Sequence, residues 1–237
     1  MNNQERRVAV ITGGSRGIGS ALVSAYRGCG WAVVANARTI DASDDPEIVT
    51  VSGDLSDPKT ADRIISEGIA HFGRIDTLVN DAGVFITKPF TEYTADDFAT
   101  IVGVNLRGFF WLTQRAIVEM LKLGGGHVVN ISTTLVDYAS SDVPSVLVSL
   151  TKGGVAAATR SLAIEYASRG IRVNAVSLGV IQTPSYPAKS YTEAAHRHPL
   201  ERVGQVDDVV NGILFLESSS FITGEIVHID GGQIAGH

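Results

Sequence analysis

A glycine-rich segment near the start of the chain has the composition of a phosphate-binding turn. Its sequence is TGGSRGIG from Thr12 to Gly19, directly after the apolar run Val8 to Thr12. Glycines allow a tight bend and a close approach of the backbone to an anion, and a helix that begins here offers free N–H groups. Such a turn alone is weak evidence, but its place between a predicted strand and a predicted helix strengthens it. The segment predicts a pyrophosphate site.

The elements that must hold this turn follow from the apolar pattern. Helix-type spacing occupies Ile18 to Ala25 and Ala61 to Ile69, whereas Arg38 to Glu47 is polar, contains Pro46 and predicts a loop. Strands alternating with amphipathic helices favour a mostly parallel sheet of seven strands with helices on both faces, in a single doubly wound α/β domain. Seven short runs rich in β-branched residues predict the strands: Val8 to Thr12, Trp31 to Ala37, Ile48 to Val51, Thr77 to Asn80, His127 to Ser132, Ile171 to Ser177 and Ile226 to Ile229.

Composition narrows the classes of function. The chain has 237 residues and a formal net charge of −6, so it lacks the basic surface that nucleic acids or anionic membranes require. Its one cysteine, Cys29, cannot form an internal disulfide, and no run is long enough to span a bilayer. The N-terminus lacks the features of a secretory signal, so we expect a cytoplasmic protein with a small-molecule substrate and neither nucleic-acid nor membrane partners.

The order of motifs resembles that of the short-chain dehydrogenase/reductase family, from about Arg7 to Gly232. The resemblance implies a Rossmann-type fold and binding of a nicotinamide dinucleotide. Beyond the glycine-rich turn it rests on these segments: Asp54-Leu55, Asn80 to Gly83, Val104 to Leu106, Asn130 to Thr133, Thr151 to Gly154, Arg160 to Val176, Pro199 to Gly204 and Asp230 to Gly232. One position departs from the family pattern: Asp81 replaces the usual second asparagine, a change that keeps nearly the same shape and adds a charge.

The resemblance also implies which residues hold the cofactor. Asp54 is expected to accept from the adenine amino group, Asn80 and Gly83 to border the ribose and pyrophosphate, and Thr183 to contact the nicotinamide amide. For Asp54, Asn80 and Gly83, a helix-capping or turn role is the alternative. The full set of expected cofactor-binding residues is Gly13, Ser15, Arg16, Gly17, Ile18, Gly19, Ala37, Arg38, Asp54, Leu55, Asn80, Ala82, Gly83, Lys152, Gly179, Ile181 and Thr183.

The end of the second predicted strand indicates the type of dinucleotide. An acidic residue there would bind the 2′-hydroxyl of NAD and repel a 2′-phosphate, but this chain has Ala37 followed by Arg38. Arg16 lies in the glycine-rich turn, and two guanidinium groups suit a phosphate because each offers paired donors. The alternative is that both are solvated surface arginines. We expect NADP(H) to be preferred, with NAD(H) possible.

The family pattern breaks at its proton donor. Family members carry a tyrosine four residues before the active-site lysine, and counting back from Lys152 gives Val148. A hydroxyl persists at Thr133, with Ser132 beside it, and Asn105 is expected to hold a water that orients Lys152. Three replacements stay open: Tyr138 in the loop after the fifth strand, a water ordered by Lys152, or an iminium substrate that needs no protein acid. Ser132, Thr133, Asn105, Lys152 and Tyr138 are the candidate catalytic residues.

The sequence therefore favours an NADP(H)-dependent oxidoreductase acting on a small carbonyl/alcohol or imine/amine substrate. A catalytically silent NADP-binding homologue, serving as sensor or partner subunit, and a non-redox enzyme that reuses the pocket are the alternatives. Thr183 to Gly204, with three prolines, is expected to be a mobile flap over the substrate. No metal site is expected, since His196 and His198 lack a third ligand. The resemblance implies a homotetramer or homodimer built on the two long helices and the C-terminal segment.

Overall fold

A seven-stranded sheet organises the chain, for which the computed structural model describes residues 6–184 and 190–236. All six strand pairings are parallel, in the spatial order β3-β2-β1-β4-β5-β6-β7. The strands are β1 Val8–Thr12, β2 Ala32–Ala37, β3 Ile48–Ser52, β4 Thr77–Asn80, β5 Gly126–Thr133, β6 Ile171–Leu178 and β7 Ile226–Ile229. The predicted doubly wound sheet is confirmed, and no strand end differs from the prediction by more than one residue.

Helices cover both faces of the sheet, as the pattern predicted. Alternate side chains along the strands divide the core into two layers: Val10 and Val128 pack toward α2, α4 and α5, whereas Ile11 and Val129 pack toward α1 and α7. The helices are α1 Gly17–Gly28, α2 Pro58–Phe72, α3 Ala95–Val102, α4 Phe109–Leu123, α5 Val146–Tyr166, α6 Ser190–Ala195 and α7 Val206–Ser218.

The connection between β2 and β3 contains no helix. Residues 38–47 cross the sheet edge as a loop, in agreement with their polar composition. Asp45 anchors this loop by accepting from Arg27 of α1 at 2.8 Å, and Ser52 exchanges hydrogen bonds with the main chain of Ile40. The loop therefore leaves the end of β2 open to solvent on one side.

The strand order reverses between β1 and β4, and this reversal positions the site. The connection after β1 runs toward α1 on one face, and the chain after β4 runs toward the opposite face. A crevice opens between them at the carboxyl ends of the strands, which is where doubly wound sheets bind ligands. The glycine-rich turn lies at this crevice, directly after β1.

At the amino-terminal ends of the central strands, opposite the crevice, a buried polar network centres on Glu217 of α7. Its carboxylate accepts hydrogen bonds from Tyr26 (3.0 Å), Thr77 (3.1 Å) and His127 (3.1 Å). Asn174 donates to the other ring nitrogen of His127 at 3.1 Å, which leaves the Nδ1 proton for Glu217. Burial lowers the pKa of His127, so the ring is neutral in the folded protein. The network joins α1, β4, β5, β6 and α7.

Candidate active site

The glycine-rich turn has the backbone geometry that the sequence predicted. Gly13 and Gly17 adopt positive φ angles of 74° and 58°, which L side chains rarely adopt. A Cβ atom at Gly19 would collide with the main-chain oxygen of Gly13, so the turn closes only with glycine there. Gly17 begins α1, and the first N–H groups of that helix lack intrahelical partners. The turn can hold an anion.

A cleft of about 730 Å³ extends from this turn across the carboxyl ends of β1, β2 and β4. Twelve of the expected cofactor-binding residues line it: Gly13, Ser15, Arg16, Gly17, Ile18, Ala37, Arg38, Asp54, Leu55, Ala82, Gly83 and Thr183. The structure thus brings together residues from five separate segments of the chain. The volume of the cleft is large enough to hold a dinucleotide. The donor set of the turn and the glycines under it fit a diphosphate.

One end of the cleft is polar and solvent-accessible. Arg16 and Arg38 both border it and are exposed, whereas Ala37 is buried at the end of β2. Asp54 accepts a hydrogen bond from the main-chain N–H of Ser56 at 2.8 Å. That bond and the nearby charge of Arg38 hold the pKa of Asp54 below its usual value, against the effect of partial burial. The end of the cleft therefore presents two guanidinium groups and one carboxylate.

Asn80 does not lie in the cleft, contrary to the expectation. Its amide nitrogen donates to Asn130 of β5 at 2.9 Å and to Thr113 of α4 at 3.0 Å. Asn130 in turn donates to Thr159 of α5 at 2.9 Å. With its donors used inside the fold, Asn80 ties β4 to β5 and to the helices above them. Sequence motifs reveal its position at a strand end but not the direction of its side chain.

Lys152 reaches the carboxyl end of β5 from α5. Its Nζ atom donates to the main-chain oxygen of Ile131 at 2.6 Å and lies 3.4 Å from where a side chain at Gly83 would begin. Burial lowers the pKa of Lys152 to about 8, and the charge of Asp81 opposes that shift. The ammonium group is thus held beside the cleft wall, and it can exchange a proton near neutral pH.

Asn105 stands between α3 and α4 in a π-helical turn, Gly103–Gly108. Its side chain accepts from the N–H of Val84 at 2.8 Å and donates to the carbonyl of the same residue at 3.0 Å. Turns of this kind occur often at functional sites. The paired bonds fix the segment after β4 next to Lys152, which is a positioning role.

The remaining candidate catalytic residues are spread around the end of β5. Ser132 is buried, Thr133 is half-buried and its hydroxyl accepts weakly from the N–H of Leu135 at 3.4 Å. Val148 lies one turn before Lys152 on α5 and is only 1% exposed. Tyr138 is half-buried in the turn after β5, where its N–H donates to Thr134, and it is not part of the cleft lining.

The expected flap is tied together at its base. Ile181 bridges to Gly204, and the N–H of Gln182 donates to the carbonyl of Gly204 at 2.8 Å. Tyr191 of α6 donates to the main-chain oxygen of Thr183 at 2.8 Å, and Thr183 lies 3.7 Å from where a side chain at Gly17 would begin. Residues 185–189 lie outside the described residues. The segment thus meets the glycine-rich turn at the mouth of the cleft.

Besides Asn80, two expected cofactor-binding residues lie away from the cleft. Ile181 packs in the core layer that α1 and α7 cover, and Gly179 borders a second cavity of about 520 Å³ with His198. Gly19 is buried beneath the turn. Among the described residues, no three His, Cys, Asp or Glu side chains are grouped as metal ligands. No helix there is long and apolar enough to cross a membrane.

Sequence reasoning missed the role of one acidic residue. Asp81 lines the cleft with its carboxyl group against the inner side of the glycine-rich turn, where the residue is half-buried, and its N–H donates to the hydroxyl of Thr12 at 3.0 Å. Burial raises the pKa of Asp81 to about 7, although Lys152 and the N–H of Gly19 stabilise its charged form. The departure from the family's asparagine was the available signal.

Comparisons with known proteins place the chain in a family. A family model described as enoyl-(acyl carrier protein) reductase matches residues 13–233. The 3-oxoacyl-[acyl-carrier-protein] reductase of Thermotoga maritima is 33% identical over 248 residues, covering 97% of this chain and 98% of the relative. The (2S)-[(R)-hydroxy(phenyl)methyl]succinyl-CoA dehydrogenase subunit BbsD of Thauera aromatica is 32% identical over 243 residues, covering 97% of each chain.

Solved structures agree with the sequence relatives. ElxO with NADP bound superposes with a TM-score of 0.90 at 29% identity, covering 97% of this chain and 99% of that one. A 3-ketoacyl-(acyl-carrier-protein) reductase from Brucella melitensis complexed with NADH superposes with a TM-score of 0.89 at 28% identity, with the same coverage. Fold, strand order and family match agree over nearly the whole length, and the chain belongs to the short-chain dehydrogenase/reductase family.

Proposed function

We propose that this protein is an NADP(H)-dependent oxidoreductase that transfers a hydride between the nicotinamide and a small carbonyl/alcohol or imine/amine substrate. The observation that carries the proposal is the cleft of about 730 Å³, which starts at a glycine-rich helix N-terminus and ends between two arginines. The names of the relatives, which are reductases and a dehydrogenase, support the same reaction type.

The preference for NADP(H) rests on charge at the open end of the cleft. Ala37 leaves space where an acidic side chain would repel a 2′-phosphate, and Arg16 and Arg38 border that space. Both arginines are exposed and free to reorient toward a phosphate, with planar donors that match its oxygens. NAD(H) remains a usable cofactor because Asp54 and the glycine-rich turn serve either dinucleotide. ElxO is bound to NADP and the Brucella reductase to NADH, which supports both possibilities.

The reaction that the site supports runs without the family's tyrosine. A bound nicotinamide supplies or accepts the hydride. Lys152 holds a proton close to neutral pH, and Ser132 or Thr133 at the end of β5 polarises a substrate oxygen. Val148 contributes an apolar surface and no proton. This arrangement suits an imine, which carries its own charge when protonated, better than a ketone, which needs an acid in the transition state.

The substrate enters, in this proposal, between the segment 183–204 and the turn after β5. The bonds that fix Tyr191 to Thr183 hold α6 at the mouth of the cleft, so a bound substrate would lie partly under this segment. Tyr138 stands in the facing turn and is the remaining phenol available to contact the substrate from that side. Small molecules of modest polarity fit such an entrance.

We further propose that the protein acts as a homodimer or homotetramer in the cytoplasm. α4 and α5 each expose apolar side chains, including Phe110 and Val118 (49% exposed) on α4 and Ile164 (79% exposed) on α5. A groove of about 880 Å³ runs beside them between α2 and α4. Apolar surface of this extent on a water-soluble chain is commonly buried against another subunit.

The proposal is tested by cofactor titration followed by a turnover panel. We expect quenching of intrinsic fluorescence by NADPH to give a dissociation constant at least tenfold lower than that for NADH. NADPH oxidation should then be followed on matched ketones and cyclic imines, with imines turned over faster. NADPH binding with no turnover on either panel would instead support a catalytically silent cofactor-binding protein, and no binding of either nucleotide would refute the proposal.

A further inference from the structure

Asp81 is the one acidic group inside the part of the cleft that should receive the diphosphate. Its Oδ2 atom lies 2.6 Å from where a side chain at Gly13 would begin and 2.8 Å from the same point at Gly19. The carboxyl group is therefore seated directly against the inner side of the glycine-rich turn. Its own N–H and that of Ala82 both donate to the hydroxyl of Thr12 at 3.0 Å, which fixes the backbone of the residue.

A carboxylate in this place competes with the ligand that the turn is built to hold. The N–H of Gly19, at the beginning of α1, stabilises the charged form of Asp81. The positive end of the same helix dipole would stabilise a bound diphosphate. Two anions held against the same turn repel each other, and the repulsion is larger for a half-buried group than for one fully in water.

The groups around Asp81 allow its carboxyl group to gain or lose a proton near neutral pH. Lys152, reaching over from α5, is the charged group that acts on it; β1 contributes Thr12 and the turn contributes glycines, and Arg16 on that turn points to solvent. Burial raises the pKa of Asp81 to about 7 and lowers that of Lys152 to about 8. The free protein therefore carries a mixture of protonated and ionised Asp81 at neutral pH.

We propose that Asp81 is a proton-accepting member of the cofactor site: where it is ionised, its carboxylate takes up a proton from solvent when the diphosphate of NADP(H) occupies the glycine-rich turn, so that the average uptake is a fraction of one proton per molecule. The inference rests on the proposed cofactor. One O–H bond forms on Asp81, no other bond changes, and the charge added by the ligand is reduced by one unit. An asparagine at this position, as in the family pattern, would bind the dinucleotide with no such linkage.

The direct test is an infrared difference spectrum of the wild-type protein with and without saturating NADPH at pH 7.5. We expect a new carbonyl stretch of a protonated carboxylic acid, which neither lysine nor phosphate can produce. The band should be absent in Asp81→Asn and present in Asp207→Asn, which removes the same charge from an exposed site on α7. This measurement on the wild type needs no variant, so it holds even where Asp81→Asn folds poorly.

Binding affinity provides the second readout. The dissociation constant for NADPH should rise roughly three- to tenfold between pH 6.5 and 8, within the limit of about tenfold per pH unit for one linked proton. The rise should be smaller in Asp81→Asn, and calorimetry in buffers of different ionisation enthalpy should show uptake of a fraction of a proton only where Asp81 is present. The 2′-phosphate of NADPH titrates near pH 6 and contributes to the pH dependence of binding in the wild type and in Asp81→Asn alike. Its contribution therefore cancels when the two pH dependences are compared.

The outcomes separate the two proposals. NADPH binding with no new carboxylic-acid band in the wild type, or the same band and proton uptake in Asp81→Asn, would overturn the role of Asp81 and leave the cofactor assignment intact. Failure of the wild type to bind either dinucleotide would overturn the proposed function and, with it, this inference.

Discussion

The ammonium group of Lys152 donates a 2.6 Å hydrogen bond to the main-chain oxygen of Ile131. This bond joins the second turn of α5 to the carboxyl-terminal part of the core strand β5, and so fixes the distance between the lysine and the hydroxyls of Ser132 and Thr133. Val148 occupies the preceding turn of the same helix face. The place that a proton-donating side chain at residue 148 would occupy is therefore set by a rigid pair of elements.

Restoring a phenol at this position should change which substrates react. We expect Val148→Tyr to raise ketone reduction by about 10²-fold, since a positioned general acid typically contributes that much, while imine turnover stays flat or falls. Because Val148 is buried, the larger side chain should also cost about 1–3 kcal/mol of folding free energy. NADPH oxidation on ketone and cyclic-imine panels measures the first effect, and urea denaturation the second.

Two companion variants isolate the hydroxyl. Val148→Phe adds nearly the same volume without an acid and should leave ketone reduction low. Tyr138→Phe removes the phenol in the facing turn and should reduce ketone turnover only where Tyr138 already supplies the proton. Ordinary ketone reduction by the wild type, unaltered by all three substitutions, would show that proton delivery at position 148 is not limiting.

Charge reversal at the end of β2 should change cofactor choice. In Arg38→Asp, a carboxylate repels the 2′-phosphate and can accept from the 2′-hydroxyl, so NADPH should bind at least tenfold more weakly and NADH equally well or better. Fluorescence titration of both cofactors measures the shift. Arg169→Asp makes the same charge change just before β6, at the end of the strands away from the cleft. This variant should leave both affinities unaltered. Equal NADPH affinity in wild type and Arg38→Asp would remove Arg38 from the site.

The exposed apolar surface of α4 and α5 should hold subunits together. Ile164→Arg and Val118→Arg place charges on that surface without entering the core, so each should shift the protein toward a monomer of 25.0 kDa in light scattering at micromolar concentration. Phe90→Arg, which alters an exposed aromatic residue in the connection after β4, should leave the mass unchanged. A wild type that is already monomeric would contradict the proposed assembly.

The buried histidine should make stability depend on pH. His127 has a lowered pKa in the folded protein, so as the pH falls below about 6.5 the unfolded chain binds a proton that the folded one does not. The free energy of unfolding should therefore decrease with falling pH between 6.5 and 5, by at most about 1.4 kcal/mol per pH unit. Urea denaturation at several pH values measures the slope.

His127→Gln tests the source of that slope, because an amide side chain does not titrate. The variant should be less stable at pH 7.5 and show a flatter dependence between pH 6.5 and 5. His71→Gln, at a partly exposed position on α2, should retain the slope of the wild type. An unchanged slope in His127→Gln would assign the dependence to other groups.

Most of the fold could be predicted from the spacing of apolar residues and from the glycine-rich and polar segments between the apolar runs. Buried strands flanked by helices are covered on both faces, so their runs are apolar throughout and easy to recognise, as for Val8–Thr12. The polar stretch of residues 38–47 predicted a connection without a helix because it offers no apolar face. The glycine-rich turn was recognisable because its glycines are sterically required.

The site was harder to predict where direction matters more than position. Asn80 and Asp81 are neighbours at the end of β4, yet the side chain of Asn80 bonds within the sheet and helices while that of Asp81 lies beneath the glycine-rich turn. Successive residues of a strand face opposite sides, and the sequence alone does not state which side the ligand occupies. Burial of Lys152 is likewise a property of the assembled helices and strands.

The hydrogen bonds of Glu217 span 191 residues to Tyr26, 140 to Thr77 and 90 to His127. During synthesis, the three donors are made long before their acceptor, and until Glu217 has left the ribosome they have no carboxylate to bind. Closing so many long loops is slow, since each costs entropy before any contact repays it. The amino-terminal ends of β4 and β5 therefore gain this network only after α7 has been made, and a nascent chain that stops before Glu217 leaves Tyr26, Thr77 and His127 without their shared acceptor.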